Sequence, residues 1–146
     1  MAEELDRNDV MRAMMYLTRM WHNDMRKKND AVGLNESYRN ILIHIVHHDG
    51  LNQREIMQKT QHSAASVSLM ISQMEQDGLI YKTPDEADKR NMHIHVTEKG
   101  QAEDDKGRMM ADRLTEDYLK VLSDEECTEL LALVSKVIDS RERKKK

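Results

Sequence analysis

Two short strand-like stretches interrupt a chain whose apolar residues otherwise recur at the spacing of α-helices. They are residues 79–83 and 92–96, and the second alternates apolar and polar side chains. The segment between them, residues 84–91, is polar and contains the single proline of the chain, so it predicts the tip of a β-hairpin. Helical patterns on both sides of a hairpin predict a mainly α-helical fold with one small β-hairpin.

Apolar periodicity and capping residues predict four helices before the hairpin and two after it. Asn52 and Glu55 have the spacing of a capping box, and so do Ser123 and Glu126. Two short helices joined by a tight turn and followed by a hairpin describe a winged helix-turn-helix, whose second helix can enter the major groove of DNA. The first predicted helix begins near Leu5 and ends near Asn29-Asp30, where Gly33 closes the turn. The others run from Asn35 to a stop at Asp49-Gly50, from Asn52 to the turn at 60–62, from Ser63 to Asp77, from Thr97 to about Leu122, and from Ser123 through Ile138.

Composition excludes several classes of protein. A length of 146 residues predicts one domain, residues 1–146, and the lack of Phe with a single Pro argues against a β-sandwich or barrel. The longest apolar stretch, residues 41–46, is too short to span a membrane, and the acidic N-terminus lacks the apolar segment of a signal peptide. The only cysteine, Cys127, cannot form an internal disulfide. We therefore expect a cytoplasmic protein without membrane contact.

The sequence has no arrangement of residues typical of an enzyme. Its five glycines are expected at turns or helix boundaries rather than in a phosphate-binding loop. It also lacks a nucleophile elbow and the histidine spacing of metal hydrolases. We predict that the protein is not an enzyme and needs neither cofactor nor metal. A net charge of −4 argues weakly against DNA as a partner.

The predicted fourth helix, residues 63–77, has two contrasting faces. Val67, Met70, Ile71 and Met74 form one apolar stripe, which must face the core. The opposite face has small and neutral side chains, which let a helix approach a groove closely and contact base edges or thymine methyl groups. An ordinary surface helix is the alternative, although such helices usually carry charges and this face has none. The face consists of Ala65, Ser66, Ser68, Leu69, Ser72 and Gln73.

A spaced motif runs from the hairpin into the fifth helix. Asp88 and Arg90 are separated by one residue, and after five more come Val96-Thr97, two residues and Gly100. This spacing is similar to the D-x-R-x5-L-T-x2-G pattern of the MarR family of bacterial transcriptional regulators, with Val in place of Leu. Residues 74–80, Met-Glu-Gln-Asp-Gly-Leu-Ile, resemble the L-E-x-x-G-L-I segment of that family. The order of helices extends the resemblance over roughly residues 5–140.

The resemblance implies a winged helix-turn-helix at residues 34–100, with flanking helices at 1–33 and 101–146 that build a two-fold homodimer. Strong apolar faces on the first, fifth and sixth helices also argue for a dimer, because the core is too small to cover them. A dimer presents two recognition helices to the half-sites of a pseudo-palindromic operator in double-stranded DNA. The implied function is a transcriptional regulator, most simply a repressor that a small-molecule effector releases from DNA.

The resemblance also implies roles for residues of the hairpin. Arg90 would enter the minor groove while Asp88 holds its guanidinium by a paired hydrogen bond. The alternative for this pair is a salt bridge within the hairpin that contacts no ligand. The predicted DNA contacts are Asn52, Gln53, His62, Ser63, Ala65, Ser66, Ser68, Leu69, Ser72, Gln73, Lys82, Asp88, Lys89, Arg90 and Asn91.

The fourth helix departs from the family in its charge. Members commonly carry Arg at the position of Leu69 and often basic residues at those of Ser72 and Gln73. Fewer phosphate contacts should weaken non-specific affinity for DNA. A second function therefore stays open, a protein-interaction module that uses the neutral face around Leu69 for a protein partner.

Family members typically bind small effectors, often aromatic or phenolic, between the dimer helices and the DNA-reading part. Methionine suits a permissive pocket because its side chain adapts to many shapes. The alternative is that methionines fill a core that lacks Phe. The predicted effector-binding residues are Met14, Leu17, Met20, Trp21, Tyr38, Leu42 and His44.

Histidines and the cysteine suggest two further sensors. His44, His47 and His48 share a face near the end of the second helix, where a metal site is one interpretation. The alternative, which we favour, is that these rings suit the negative end of the helix dipole. Cys127 lies at the start of the last helix, but neighbouring glutamates disfavour the thiolate that redox sensing needs. His93 and His95 alternate outward on a hairpin strand and are expected to contact solvent or backbone.

Overall fold

The computed structural model of the chain describes residues 6–145. These residues form two compact units, one up to Ala111 and one from Asp112. The described residues contain six helices and one antiparallel strand pair, which confirms the predicted fold class. The elements are α1 (Arg7–Ala31), α2 (Glu36–His47), α3 (Gln53–Thr60), α4 (Ala64–Gln76), β1 (Ile80–Pro84), β2 (Met92–Val96), α5 (Glu98–Leu119) and α6 (Asp124–Arg143).

Most helix boundaries follow from local capping. Asn52 and Glu55 form the predicted capping box, and the Ser63 hydroxyl accepts a hydrogen bond from the N–H of Ser66 at the start of α4. Gln61, with a φ of 58°, makes the turn between α3 and α4. The helix-turn-helix is therefore set by side chains within its own sequence.

Several boundaries differ from the predictions. Helix α1 ends at Ala31, just beyond the predicted end near Asn29-Asp30, and Gly33 follows it with a φ of 73°. Its predicted start, Leu5, lies outside the described residues. Strand β1 is displaced by one residue and includes Pro84, which faces Met92. Helix α5 ends at Leu119 instead of Leu122.

The core of the first unit joins the helix-turn-helix to the hairpin. Val67, Ile71 and Met74 are buried and Met70 is half-buried, which confirms the predicted apolar stripe of α4. Burial of these side chains drives the packing, since apolar surface removed from water stabilises the fold by about 25 cal/mol per Å². The other buried residues of the cluster are Ile41, Leu42, Ile45, Ile56, Leu79, Ile80 and Ile94.

Strand β2 is attached on both of its edges. One edge pairs with β1 in a register that places Tyr81 opposite His95. On the other edge, the Ile94 N–H donates to the carbonyl of Leu51 at 2.9 Å, and the Gly50 N–H donates to the carbonyl of Ile94 at 3.0 Å. The wing, as we call the hairpin of residues 80–96, is thereby fixed to the segment between α2 and α3.

Thr97 and Gly100 connect the wing to α5 and to the end of α4. The Thr97 hydroxyl donates to the carbonyl of Gly78 at 2.6 Å and accepts the N–H of Gly100 at 3.0 Å. The Thr97 N–H donates to the carbonyl of Leu79 at 3.0 Å. A Cβ at Gly100 would collide with that same carbonyl oxygen. The V-T-x2-G part of the motif therefore has a structural purpose, a close contact between backbones.

One glycine contradicts the expectation that all five lie at turns or boundaries. Gly107 lies within α5, where a Cβ would overlap the guanidinium of Arg39. The glycine is thus explained by the space that the Arg39 side chain occupies.

The second unit, described by itself, leaves much apolar surface uncovered. Leu114 is buried, but among the described residues of α6 none is. In residues 6–145 no helix is long and apolar enough to cross a membrane. The exposed large apolar residues of α6 are Leu130, Leu131, Leu133, Val137 and Ile138.

Replacement of Gly100 by Ala should destabilise the protein by about 1–3 kcal/mol, because the new methyl group meets rigid backbone. Gly107→Ala is the matched control, since the atoms it meets belong to the flexible Arg39 side chain and alanine favours a helix by about 1 kcal/mol. In urea unfolding, Gly107→Ala should lose less free energy of unfolding than Gly100→Ala. Equal stability of the Gly100→Ala variant and the parent protein would contradict the close contact with Leu79.

Candidate DNA-binding interface

Helix α4 presents its neutral face to solvent. All six residues assigned to that face by sequence are exposed, and Leu69 is 60% exposed. The Ser63 hydroxyl donates to the Ser66 hydroxyl at 3.0 Å at the start of the helix. Among the residues of α4 only Glu75 is charged, and it lies in the last turn. The exposed face offers hydroxyl, amide and methyl groups without a charge.

The wing tip is a tight turn built by two carboxylates. One oxygen of Asp85 accepts the N–H of Asp88 at 3.0 Å, and Asp88 in turn accepts the N–H of Arg90 at 3.1 Å. The N–H of Asp85 donates to the carbonyl of Asn91 at 2.9 Å. These bonds order the loop that carries Lys89 and Arg90, both exposed.

The predicted paired hydrogen bond between Asp88 and the guanidinium of Arg90 is wrong. The structure shows one contact of 3.5 Å, from Nε of Arg90 to Oδ1 of Asp88, and the Arg90 side chain is 95% exposed. The same carboxylate oxygen already accepts the backbone N–H of Arg90. Asp88 therefore shapes the turn, and the guanidinium extends away from the wing.

A groove lies between the start of α3 and the wing. Its volume is about 380 Å³, and three of its lining residues are cationic, Arg54, Lys82 and Arg90. A helix start beside cationic side chains suits a phosphate group. The sequence predicted four of the lining residues as DNA contacts, Asn52, Gln53, Lys82 and Asn91, in addition to Arg90. Met57, Met92 and Ile94 complete the lining with Arg54, which the sequence analysis did not single out.

Lys82 is less available than the sequence suggested. Its Nζ lies 2.9 Å from Oε2 of Glu75, and its side chain is only 25% exposed. The ion pair joins β1 to the last turn of α4. Part of the Lys82 charge is therefore neutralised within the protein before any ligand arrives.

Two wing histidines form contacts that sequence reasoning placed only in general terms. The ring of His93 contacts the carbonyl of Gly50 at 2.8 Å and Oδ1 of Asp85 at 2.9 Å. The ring of His95 contacts the hydroxyl of Thr83 at 2.7 Å and the carboxylate of Asp49 at 2.9 Å. Both rings thus connect the wing to the end of α2. Their alternation along β2 was visible in the sequence, but their partners were not.

The contacts of His93 and Asp85 shift the pKa of both groups. The hydrogen bond with Asp85 raises the pKa of His93 above its ordinary value, and the bond to the Gly50 carbonyl adds to the effect. The hydrogen bond from His93 lowers the pKa of Asp85. The two groups therefore favour a charged pair.

The predicted effector-binding residues are not brought together. A cavity of about 390 Å³ in the first unit has Tyr38 and Leu42 in its lining but none of the other five. Leu17 and Met20 are exposed, and Met14 and Trp21 are half-buried elsewhere on α1. Burial lowers the pKa of His44, aided by the charge of Lys59, so this ring favours its neutral form. The other lining residues are Gly33, Leu34, Asn35, Arg39, Asp77, Leu79, Lys99 and Glu103.

The cavity contains polar groups that bear on binding. Nε of Arg39 is buried and has no hydrogen-bond partner among the described residues. The hydroxyl of Tyr38 donates to Oε1 of Gln73 on the α4 face at 3.4 Å, and burial raises its pKa. Nζ of Lys99 donates to the carbonyl of Asp77 at 2.7 Å. Such a set of donors suits a small ligand with an anionic group.

The histidines near the end of α2 and Cys127 were the other candidate sensor residues. His44 and His47 lie in the last turn of α2, and His48 is its C-terminal cap. Within the described part of the chain, no three side chains of His, Cys, Asp or Glu are grouped to hold a metal ion. Cys127 is half-buried and not in a disulfide.

Comparisons with known proteins agree with this architecture. The sequence model of the MarR family matches residues 32–91. The sequence matches none of the proteins of established function with which it was compared. Among solved structures, a MepR mutant from S. aureus is 22% identical with a TM-score of 0.77, over 93% of this chain and 98% of that one.

Two further structures have the same fold. Wild-type MarR from E. coli in its apo form is 16% identical with a TM-score of 0.79, over 92% of this chain and 98% of that one. Another S. aureus MepR mutant, bound to an oligodeoxyribonucleotide, is 22% identical with a TM-score of 0.65, over 94% of this chain and 99% of that one. Residues 32–91 thus match the sequence model of the MarR family, and the chain shares the winged-helix fold of these solved structures.

Proposed function

We propose that this protein binds an operator in double-stranded DNA, with α4 in the major groove and Arg90 of the wing in the adjacent minor groove. The observation that carries the proposal is the exposed, uncharged face of α4, together with a wing tip that extends Arg90 into solvent. Small neutral side chains allow close approach to base edges. Chromosomal DNA as the partner makes the protein cytoplasmic, and no enzymatic activity is proposed.

Cations at the edges of the interface would hold the DNA backbone. Arg54 lines the groove beside α3, and Lys89 and Arg90 are exposed at the wing tip. Since α4 itself contributes no cation, few phosphates are neutralised per subunit, and binding should depend weakly on salt. Specificity then comes mainly from hydrogen bonds and apolar contacts of Ser68, Leu69 and Gln73.

A homodimer is the proposed active form. Helix α1 has a row of exposed apolar side chains that includes Val10, Met11 and Leu17, and α6 has the exposed row described above. Contact with a second copy would remove this surface from water. Two copies related by a two-fold axis would read a pseudo-palindromic operator. Repression is the proposed output, because a dimer on an operator that overlaps a promoter excludes polymerase.

A small molecule is the proposed signal for release from DNA. The cavity of about 390 Å³ has the Arg39 side chain and the aromatic ring of Tyr38 in its lining. An aromatic or phenolic carboxylate would satisfy the cation and stack on the ring. Such a ligand weakens DNA binding if it favours the dimer geometry that cannot reach both half-sites.

Arg90→Ala should weaken operator binding and reduce the salt slope by about one, because one cation leaves the DNA interface. Fluorescence anisotropy across a salt series measures both, with a duplex enriched from a random pool by the protein itself. The matched control is Lys106→Ala, which removes an exposed cation from α5. Equal effects of the two substitutions would contradict an approach of the wing to DNA.

Leu69→Arg distinguishes a DNA-reading face from a protein-binding face. For a DNA reader, the added cation should increase affinity for unrelated duplexes and steepen the salt dependence, with a slope change of about one. Anisotropy against an unrelated duplex measures the gain, and Leu69→Gln controls for the loss of the apolar side chain. No gain for Leu69→Arg at low salt would favour the protein-partner function.

Arg39→Met should abolish the response to an anionic aromatic effector, because the cavity lining loses the guanidinium that would pair with the anion. A panel of hydroxybenzoates is tested for a rise in the melting temperature and for release of the operator duplex. Lys27→Met, which removes an exposed cation from α1, is the control. A ligand that releases DNA equally from Arg39→Met and the parent protein would place its site elsewhere.

A further inference from the structure

The ring of His93 has two hydrogen-bond partners that can only accept. Nδ1 lies 2.8 Å from the carbonyl oxygen of Gly50, and Nε2 lies 2.9 Å from Oδ1 of Asp85. A neutral imidazole carries one N–H and can donate to only one of these acceptors. An imidazolium carries two and satisfies both. The geometry around His93 therefore fits the charged ring, independently of which tautomer the neutral ring adopts.

We propose that His93 is a positioning residue of the wing, whose protonated ring joins the segment after α2 to the wing tip and so holds Arg90 where it meets DNA. The inference rests on the DNA-binding function proposed above. Deprotonation would release one of the two contacts. The wing tip would then be less ordered, and the interface would lose affinity.

A continuous set of hydrogen bonds connects His93 to the tip. Asp85 receives the His93 ring on Oδ1 and the N–H of Asp88 on Oδ2. Asp88 receives the N–H of Arg90. The carbonyl of Gly50 anchors the other end, next to the backbone bond between Gly50 and Ile94. The ring of His93 thus connects the turn that bears Arg90 to the segment after α2.

The charges around the ring favour its protonated state. Asp85 acts from the wing tip and Glu55 from the first turn of α3, and both carboxylates raise the pKa of His93. On the same face of β2, His95 contacts Asp49 of the α2–α3 segment. The acidic groups that act on His93 therefore come from the tip and from α3.

The sign of the pH dependence follows from these shifts. A raised pKa means that the contribution of His93 is complete below its ordinary value of 6.5 and is lost as the pH rises through the raised value. A lowered pKa means that the contribution of Asp85 is complete above its ordinary value of 3.8 and is lost as the pH falls through the lowered value. The pair is complete between these two values, and physiological increases in pH weaken it.

His95 is a built-in comparison on the same strand. Its ring contacts the carboxylate of Asp49, which accepts, and the hydroxyl of Thr83, which can donate. A neutral ring therefore satisfies both partners. Replacement of His95 removes an imidazole, the contact with Asp49 and the stacking on Tyr81. It leaves unchanged the two acceptors that only a protonated His93 can satisfy.

The first measurement is an NMR titration of the free full-length protein between pH 5.5 and 8.5. His93 should titrate above 6.5, and ¹⁵N relaxation at Asp88 and Arg90 should show increasing disorder as it deprotonates. Asp85→Asn should return the titration of His93 toward its ordinary value. A titration midpoint of His93 at or below 6.5 in the parent protein would overturn the proposal. So would ¹⁵N relaxation at Asp88 and Arg90 that does not change as His93 deprotonates.

The second measurement is operator affinity at constant ionic strength over the same pH range. The parent protein should lose about five-fold in affinity from pH 6 to 8.5, because the deprotonated ring keeps only one of its two contacts. His93→Gln should be pH-independent within two-fold, whereas His95→Gln should keep the decrease. Circular dichroism verifies that each variant folds, and Asp85→Asn provides the same test if His93→Gln does not.

The outcomes separate the two proposals. An equal pH dependence in His93→Gln and the parent protein refutes the role of His93 and leaves DNA binding intact. If His93 titrates as expected but the protein binds no duplex from the random pool at any pH, the proposed function is refuted instead. An affinity that increases with pH contradicts the positioning role directly.

Discussion

The attachment of β2 at Ile94 is the contact on which the reading surface depends. Ile94 is buried in the core, its backbone N–H and carbonyl bond to Leu51 and Gly50, and it lies opposite Lys82 of β1 in the strand pair. A two-stranded hairpin alone is only marginally stable in water. Because Ile94 belongs both to the hairpin and to the core below α4, the wing is held as a part of the helix-turn-helix unit. Asp85, His93 and Arg90 can then be positioned by short side-chain contacts.

The elements of this fold were largely predictable because their causes are local. Capping by Asn52 and Ser63 and the apolar stripe of α4 act over a few residues, so spacing in the sequence revealed them. The partners of His93 and Lys82 were not predictable, since Gly50 is 43 residues from His93 and Glu75 belongs to another element. Most predicted effector residues are absent from the cavity because periodicity places α1 on a face but not against a particular neighbour.

Charged side chains are unevenly distributed in this protein, and their distribution separates residues that would contact phosphates from residues that would contact base edges. The exposed face of α4 has no charge, while Arg54 lines the groove beside α3 and Lys89 and Arg90 are exposed at the wing tip. Contacts to phosphates hold a protein on any duplex, whereas contacts to base edges distinguish one duplex from another. A net charge of −4 is compatible with this division because attraction to DNA depends on a few local cations rather than on the total.

The contact between Arg39 and Gly107 links two positions that are far apart in the sequence. The Arg39 guanidinium lies against α5 at Gly107, where any Cβ would overlap it. The guanidinium therefore occupies the space that a side chain at position 107 would need. A larger side chain at 107 requires a smaller or redirected one at 39, and a smaller residue at 39 leaves a void that a side chain at 107 can fill. In descendants of this sequence the two positions should therefore evolve as a pair, so that a change of the side chain at 39 is accompanied by a substitution in the middle of α5.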